Sequence, residues 1–163
     1  RDADVVQEVA DVAAVHADVP QRDVGRRGDV DAAPVVALDV VEQRWADFDL
    51  FFLHVKQTDQ AGEDGDLAAK TAAIEEVDRA LPRLLALSPD VVAVTGDHST
   101  PAPMKAHSFH PVPLLVASKL AFLDGSTAFD ERQAMRGHLG TFPSRDLVGL
   151  LLAHAGRLEK YGA

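Results

Sequence analysis

The stretch Phe-Asp-Leu-Phe-Phe-Leu-His-Val at residues 48–55 decides the fold class, because it is an almost continuous apolar run of strand length. Such a run is typical of a strand that is buried on both faces of a sheet. Val-Val-Ala-Val at residues 91–94 has the same character, and a helical pattern at residues 67–81 separates the two runs. Strands that alternate with helices predict an α/β domain whose sheet is mainly parallel and flanked by helices.

Turn residues and apolar spacing predict the other elements. We expect a helix over 34–46, a polar glycine-containing loop over 56–66, an edge strand over 111–117, and short helices over 131–135 and 145–154. The prolines of the third strand favour the edge position. Asp64 or Asp66 can cap the helix that follows the loop, and Ser144 can cap the last helix. Pro82 should disturb the long helix or start a second turn.

The first 33 residues differ from the rest of the chain in composition. They lack Leu, Ile, Phe, Lys, Ser and Thr, and their Ala, Val and Asp residues follow neither the helical nor the strand period. We therefore predict a poorly specified segment over residues 1–33 and a single domain over residues 34–163.

Composition and charge exclude several classes of function. The chain of 163 residues has no cysteine, so any metal must be held by carboxylate, imidazole or backbone oxygen. A formal net charge of -10 argues against a nucleic-acid partner, although bound divalent cations would still allow a small anionic substrate. No apolar run approaches the roughly 20 residues of a membrane helix, and no apolar leader is evident. The expectation is a cytoplasmic protein whose oligomeric state stays open.

Polar side chains that follow the two buried strands form a candidate metal site. Because parallel strands end at one rim of a sheet, Asp59 and Glu63 should lie near Asp97 and His98. Asp59 and Glu63 are four positions apart, so one helical turn would place them on one face. His107 reaches the same rim if the loop 99–106 folds back. Carboxylates mixed with imidazoles suit Mn²⁺, Zn²⁺ or Mg²⁺.

Each of these residues also has a structural explanation. An aspartate in a glycine-containing loop is usually a turn or cap residue, and an Asp-His pair after a strand is more often structural than functional. Ser99, Thr100 and Ser108 lie near the predicted site, where hydrogen bonding of the loops is their expected role. Only the combination of residues favours a metal site.

Several motifs together resemble a known family, the archaeal-type cofactor-independent phosphoglycerate mutases of the alkaline phosphatase superfamily. The motifs are His-Val-Lys-Gln-Thr-Asp at 54–59, Gly-Glu-Asp-Gly-Asp at 62–66, Thr-Gly-Asp-His-Ser-Thr-Pro at 95–101, Lys-Ala-His-Ser at 105–108, Pro-Val-Pro at 111–113 and the ending at 155–163. The resemblance extends from about Gly28 to the C-terminus. It implies the C-terminal part of an alkaline phosphatase-like fold, which is therefore incomplete.

The resemblance implies that 3-phosphoglycerate and 2-phosphoglycerate are interconverted in glycolysis through a phosphoserine intermediate. It also implies two divalent ions, with Mn²⁺ the first choice and Mg²⁺, Zn²⁺ or Co²⁺ as alternatives. By motif matching, one ion is held by Asp59, Glu63 and His107. Asp97 and His98 help to hold the other.

The same matching makes Lys56, Lys105 and His110 candidates for binding substrate phosphate or carboxylate. Two departures from the family pattern stand out. Many relatives have histidine at the position of Glu63, and the family's nucleophilic serine matches no position in this chain. We therefore expect no catalytic nucleophile here, and the isolated chain should be inactive. Two alternatives stay open, namely a phosphatase or phosphodiesterase of the same superfamily and a degenerate, non-catalytic fragment that binds a metal or a partner.

Overall fold

The protein is described by a computed structural model that covers residues 11–15 and 34–158. Strands and helices appear in the order β1 (Asp11–Val15), α1 (Pro34–Arg44), β2 (Leu50–His54), α2 (Lys56–Asp64), α3 (Leu67–Ala86), β3 (Val91–Thr95), β4 (Leu115–Ser118), α4 (Glu131–Ala134) and α5 (Leu147–His154). Short 3₁₀ turns follow α1 and precede α5. The α/β class is confirmed. Within the described part of the chain, no helix is long and apolar enough to cross a membrane.

The four strands form one sheet in the order β2-β1-β3-β4. Each hydrogen-bonded pair is antiparallel, so the prediction of mainly parallel pairing is corrected here. For two of the three pairs the reason is β1, which comes from the segment without a clear period, and in the third pair β4 runs against β3. β1 lies between β2 and β3 and runs against both of them.

The central position of β1 makes β2 and β3 point in the same direction. Asp11 of β1 lies opposite His54 on one side and opposite Thr95 on the other. The carboxyl ends of β2 and β3 are therefore level at one rim of the sheet. The polar segments that follow them start side by side, as predicted, although the two strands do not pair with each other.

Helices cover both faces of the sheet. The main core lies between the sheet and α1 and α3, and its largest buried side chains are Leu38, Val41, Phe51, Leu53, Val55, Val77, Leu84, Val92 and Val94. On the other face, Val91 and Ala93 of β3 pack against Leu151 of α5. Successive residues of a strand point to opposite faces, so β3 is buried on both sides. This explains its continuous apolar sequence and confirms its prediction as a buried strand. The same prediction is wrong for β2, which is buried on one face, because Leu50 and Phe52 on its other face are exposed.

Four local predictions concern a loop, two helix caps and a proline. The predicted loop over 56–66 is largely the helix α2, which is followed directly by α3. The Asp66 side chain accepts a hydrogen bond from the Ala69 backbone N–H at 2.9 Å and so caps α3. Of the two predicted capping residues, Asp64 and Asp66, Asp66 is therefore the one confirmed. The long helix continues through Pro82 to Ala86. Ser144 makes no side-chain cap, because a 3₁₀ turn at Ser144–Asp146 leads into α5.

Candidate metal centre

Asp59 lies at the centre of the rim where β2 ends. Val55 links the strand directly to α2, and Asp59 follows within the first turn of this helix, with 1% of its surface exposed. The Thr100 hydroxyl donates a hydrogen bond of 2.7 Å to Asp59 Oδ1, and the Lys56 ammonium pairs with Oδ2. Burial by itself raises the pKa of Asp59, but the hydrogen bonds from Lys56 and Thr100 outweigh burial and leave the pKa below its ordinary value. Asp59 is therefore a buried carboxylate that stays ionised.

Two histidines from the loop after β3 complete a compact group with Asp59. The rings of His98 and His107 stack with their centroids 3.9 Å apart. His107 Nε2 lies 3.5 Å from Asp59 Oδ1, and His98 Nδ1 lies 3.9 Å from the same oxygen. One ligand atom from each of the three residues lies within 4.8 Å of the others. A carboxylate oxygen and two imidazole nitrogens at this spacing fit a divalent transition metal.

Glu63 and Asp97 extend this group on either side. Glu63 Oε1 lies 3.4 Å from His107 Nε2, and Asp97 Oδ2 lies 3.6 Å from His98 Nε2. About half of each carboxylate side chain is exposed, whereas Asp59 is buried. The structure therefore brings all five predicted ligands together, with one carboxylate inside and two facing solvent.

The loop after β3 folds back because two serines pair across it. Ser99 and Ser108 form an isolated antiparallel bridge, in which the Ser108 backbone N–H donates to the Ser99 carbonyl at 2.7 Å. Between them, the Met104 N–H bonds to the Pro101 carbonyl and tightens the turn. The bridge sets His107 beside His98. The fold-back that the sequence analysis required for His107 is thus present.

Two glycines let α2 approach this loop. A Cβ on Gly62 would lie 2.3 Å from the Thr100 carbonyl oxygen, so only glycine fits between the helix and the loop. Gly65 has a φ of 75° and ends α2 in the left-handed conformation. Gly65 therefore permits the turn that ends α2, whereas Gly62 lies inside the helix and serves close packing.

The three predicted substrate-binding residues lie at different places around the rim. Lys56 pairs with Asp59 and keeps about half of its side chain exposed. The aliphatic chain of Lys105 covers Gly65 at the end of α2. His110 Nδ1 lies 2.9 Å from the Ser108 hydroxyl, and its ring stacks on Phe109. Of the three, Lys56 is the one in direct contact with a candidate ligand.

Lys70 is a further residue of the site that was not predicted from the sequence. This residue of α3 is fully buried, and its ammonium donates a hydrogen bond of 2.7 Å to the Thr100 carbonyl. A signal was present, because Lys70 lies four and seven positions before Ile74 and Val77 on the apolar stripe of the helix. A lysine on such a stripe predicts a buried ammonium that needs an acceptor.

Comparison with known proteins identifies the class. A family model described as the metalloenzyme superfamily matches residues 11–154, and the chain belongs to this family. A curated protein of Thermotoga neapolitana, named a probable 2,3-bisphosphoglycerate-independent phosphoglycerate mutase, is 54% identical over 126 residues. A Thermus thermophilus protein of the same name is 52% identical over 126 residues. Each match covers 77% of this chain and 31% of the relative, so the chain spans about a third of the length of these relatives.

A solved structure agrees with these matches. The PH0037 protein from Pyrococcus horikoshii superposes with a TM-score of 0.70 and 39% sequence identity, over 82% of this chain and 40% of that one. The Thermotoga and Thermus matches confirm the resemblance to the phosphoglycerate mutases as a similarity of sequence. The similarity of fold to PH0037 extends over most of the chain.

Replacing Gly62 by alanine tests the close approach of α2 to Thr100. Alanine favours a helix, yet its Cβ would meet a backbone oxygen, so we expect Gly62→Ala to lower the free energy of unfolding by about 1–3 kcal/mol. Gly149→Ala is the matched control, because Gly149 lies in α5 with nothing within 4 Å of an added Cβ. The control should gain about 0.5–1 kcal/mol. Urea unfolding measures both, and equal gains would contradict the predicted clash.

The lowered pKa of Asp59 predicts how stability depends on pH. Since the folded pKa is below the unfolded one, the unfolded chain takes up the proton first as the pH falls. The stabilisation is present above the ordinary carboxyl pKa of about 4. It is lost as the pH drops further, through the folded pKa. We expect the free energy of unfolding of wild type to exceed that of Asp59→Asn at neutral pH. This difference should shrink as the pH falls below the ordinary carboxyl pKa, as measured by urea unfolding in a chelating buffer. A difference that stays constant with pH would oppose this.

Proposed function

We propose that this chain is the metal-binding part of an enzyme that interconverts 3-phosphoglycerate and 2-phosphoglycerate through a phosphoserine intermediate. The observation that carries the proposal is the cluster of Asp59, His98 and His107 at the rim shared by β2 and β3. The named function of the Thermotoga and Thermus relatives supports the choice of reaction. The proposal includes a place in glycolysis and a cytoplasmic location, both of which the resemblance implies.

The proposal includes two divalent ions. Mn²⁺ is the first choice, with Mg²⁺, Zn²⁺ or Co²⁺ as alternatives. The pair of Glu63 and His107, together with Asp59, supports one site, and the pair of Asp97 and His98 supports the other. The ions would supply positive charge that stabilises the attacking and leaving oxygens of a transferring phosphoryl group. The chain has a formal net charge of -10, and such cations would offset its repulsion of a phosphorylated substrate.

In the proposed reaction, residues of this chain bind and orient the phosphorylated substrate. Asp59 raises the pKa of Lys56 through their hydrogen bond, so Lys56 stays a full positive charge at the rim. Lys56 is therefore placed to attract substrate phosphate, with Lys105 and His110 as further contacts. The nucleophilic serine that the resemblance implies matches no position among these 163 residues. The phosphoserine step therefore needs a residue from outside this sequence.

Calorimetric titration with Mn²⁺ tests the metal sites. We expect the chain to bind Mn²⁺ and His107→Ala to weaken binding by at least about tenfold, since removal even of outer-shell partners has effects of that order. Asp97→Ala should impair the second site and lower the stoichiometry. His138→Ala is the control, because His138 is an exposed histidine near Asp124. No binding, or equal affinity of all variants, would refute the metal centre.

A turnover assay tests the catalytic part. With Mn²⁺ and 3-phosphoglycerate, we expect the chain alone to form no more 2-phosphoglycerate than the Asp59→Asn variant, as followed by phosphorus NMR. The physical reason is the missing acceptor for the phosphoryl group. Turnover that is lost in Asp59→Asn would contradict the need for an outside nucleophile. Phosphate release from an aryl phosphate would instead favour a phosphatase.

A further inference from the structure

Thr100 contacts two of the candidate ligands and is itself held by a residue of α3. It is fully buried in the loop after β3. Its hydroxyl lies 2.7 Å from Asp59 Oδ1 and 3.1 Å from His98 Nδ1. Its carbonyl accepts the hydrogen bond from Lys70 at 2.7 Å. One side chain thus touches two candidate ligands, and its backbone is held from α3.

The number of protons on these groups decides the direction of each bond. A threonine hydroxyl has a single proton and two lone pairs. The Asp59 carboxylate is an acceptor, and a hydrogen bond to a charged acceptor is the stronger choice for that proton. The hydroxyl proton therefore goes to Asp59 Oδ1. The contact with His98 Nδ1 is then a hydrogen bond only if Nδ1 carries the proton and donates to the hydroxyl oxygen.

We propose that Thr100 is a positioning residue that holds His98 in the Nδ1–H tautomer, leaving the lone pair of Nε2 free to bind a divalent cation on the side of Asp97. This inference rests on the proposed metal-binding function. A metal-ligating histidine commonly donates its other ring N–H to a fixed acceptor, which sets both tautomer and ring orientation. Here the fixed acceptor is a hydroxyl whose own proton is already committed to a neighbouring ligand.

The surroundings of Thr100 keep this acceptor in place. Lys70 anchors the carbonyl from the buried side, and Gly62 lets α2 approach so closely that the same carbonyl lies against the helix. The opposite tautomer of His98 would need the hydroxyl proton for Nδ1. Asp59 Oδ1 would then lose its donor inside a buried site, which is strongly unfavourable for a charged group. The Nδ1–H tautomer is the one that satisfies all three side chains.

Long-range ¹H–¹⁵N NMR of the metal-free chain reads the tautomer directly. At a pH where His98 is neutral, we expect the proton on Nδ1, with the resonance assigned through the variant His98→Gln. Thr100→Ser keeps the hydroxyl and should keep this tautomer, whereas Thr100→Val keeps the shape and should lose it. A His98 that carries its proton on Nε2 in wild type would overturn the inference. This measurement needs no metal, so it stands even if the proposed function fails.

Mn²⁺ affinity provides the second readout. We expect Thr100→Val to weaken binding by about 10–100-fold, and Thr100→Ser to retain most of the affinity. Thr71→Val is the matched control, because the Thr71 hydroxyl donates to the Leu67 carbonyl within α3. If wild type binds Mn²⁺ and Thr100→Val binds equally well, the inference is wrong while the metal centre stands. If wild type does not bind, the proposed function is wrong. If Thr100→Val does not fold, the test rests on the His98 tautomer measured by NMR in wild type and in Thr100→Ser.

Discussion

The burial of an ionised Asp59 is the constraint on which the site depends. A carboxylate removed from water must be compensated by hydrogen bonds and opposite charge, or it would be neutralised. Thr100 and Lys56 supply this compensation from two directions. Because Thr100 belongs to the loop after β3 and Lys56 to the start of α2, the same interactions join the segments that follow two separate strands. The interactions that compensate the charge of Asp59 therefore also hold the segments after β2 and β3 together.

The scaffold meets this requirement through level strand ends and close packing. β1 holds β2 and β3 in register, so the segments that leave them begin side by side. Gly62 removes the side chain that would separate α2 from Thr100, and Lys70 fixes the Thr100 carbonyl from within α3. A buried lysine has a high desolvation cost, which its bond to a backbone oxygen helps to offset. Such an arrangement restrains the loop more than surface contacts would.

Around this interior the candidate ligands are graded by exposure. Asp59 is buried, His98 is half-buried, and His107, Glu63 and Asp97 reach solvent. An inner carboxylate held by fixed donors and outer carboxylates exposed to solvent suit a site that binds a cation and still admits an anionic ligand from solvent. The Lys56 ammonium at the same rim adds a charge of the sign that a phosphate or carboxylate group requires.

Much of this arrangement was determined by the sequence itself. The apolar runs identify β2 and β3, and the residues after them identify the five candidate ligands, because strand burial and ligand chemistry are local properties of the chain. The sequence did not reveal the pairing of β1 between those strands, since Asp11–Val15 has no distinctive period and its partners lie far along the chain. Nor did it reveal why Gly62 is a glycine, or that Lys70 supports Thr100. Those facts depend on which segments meet after folding, and only the tertiary structure decided them.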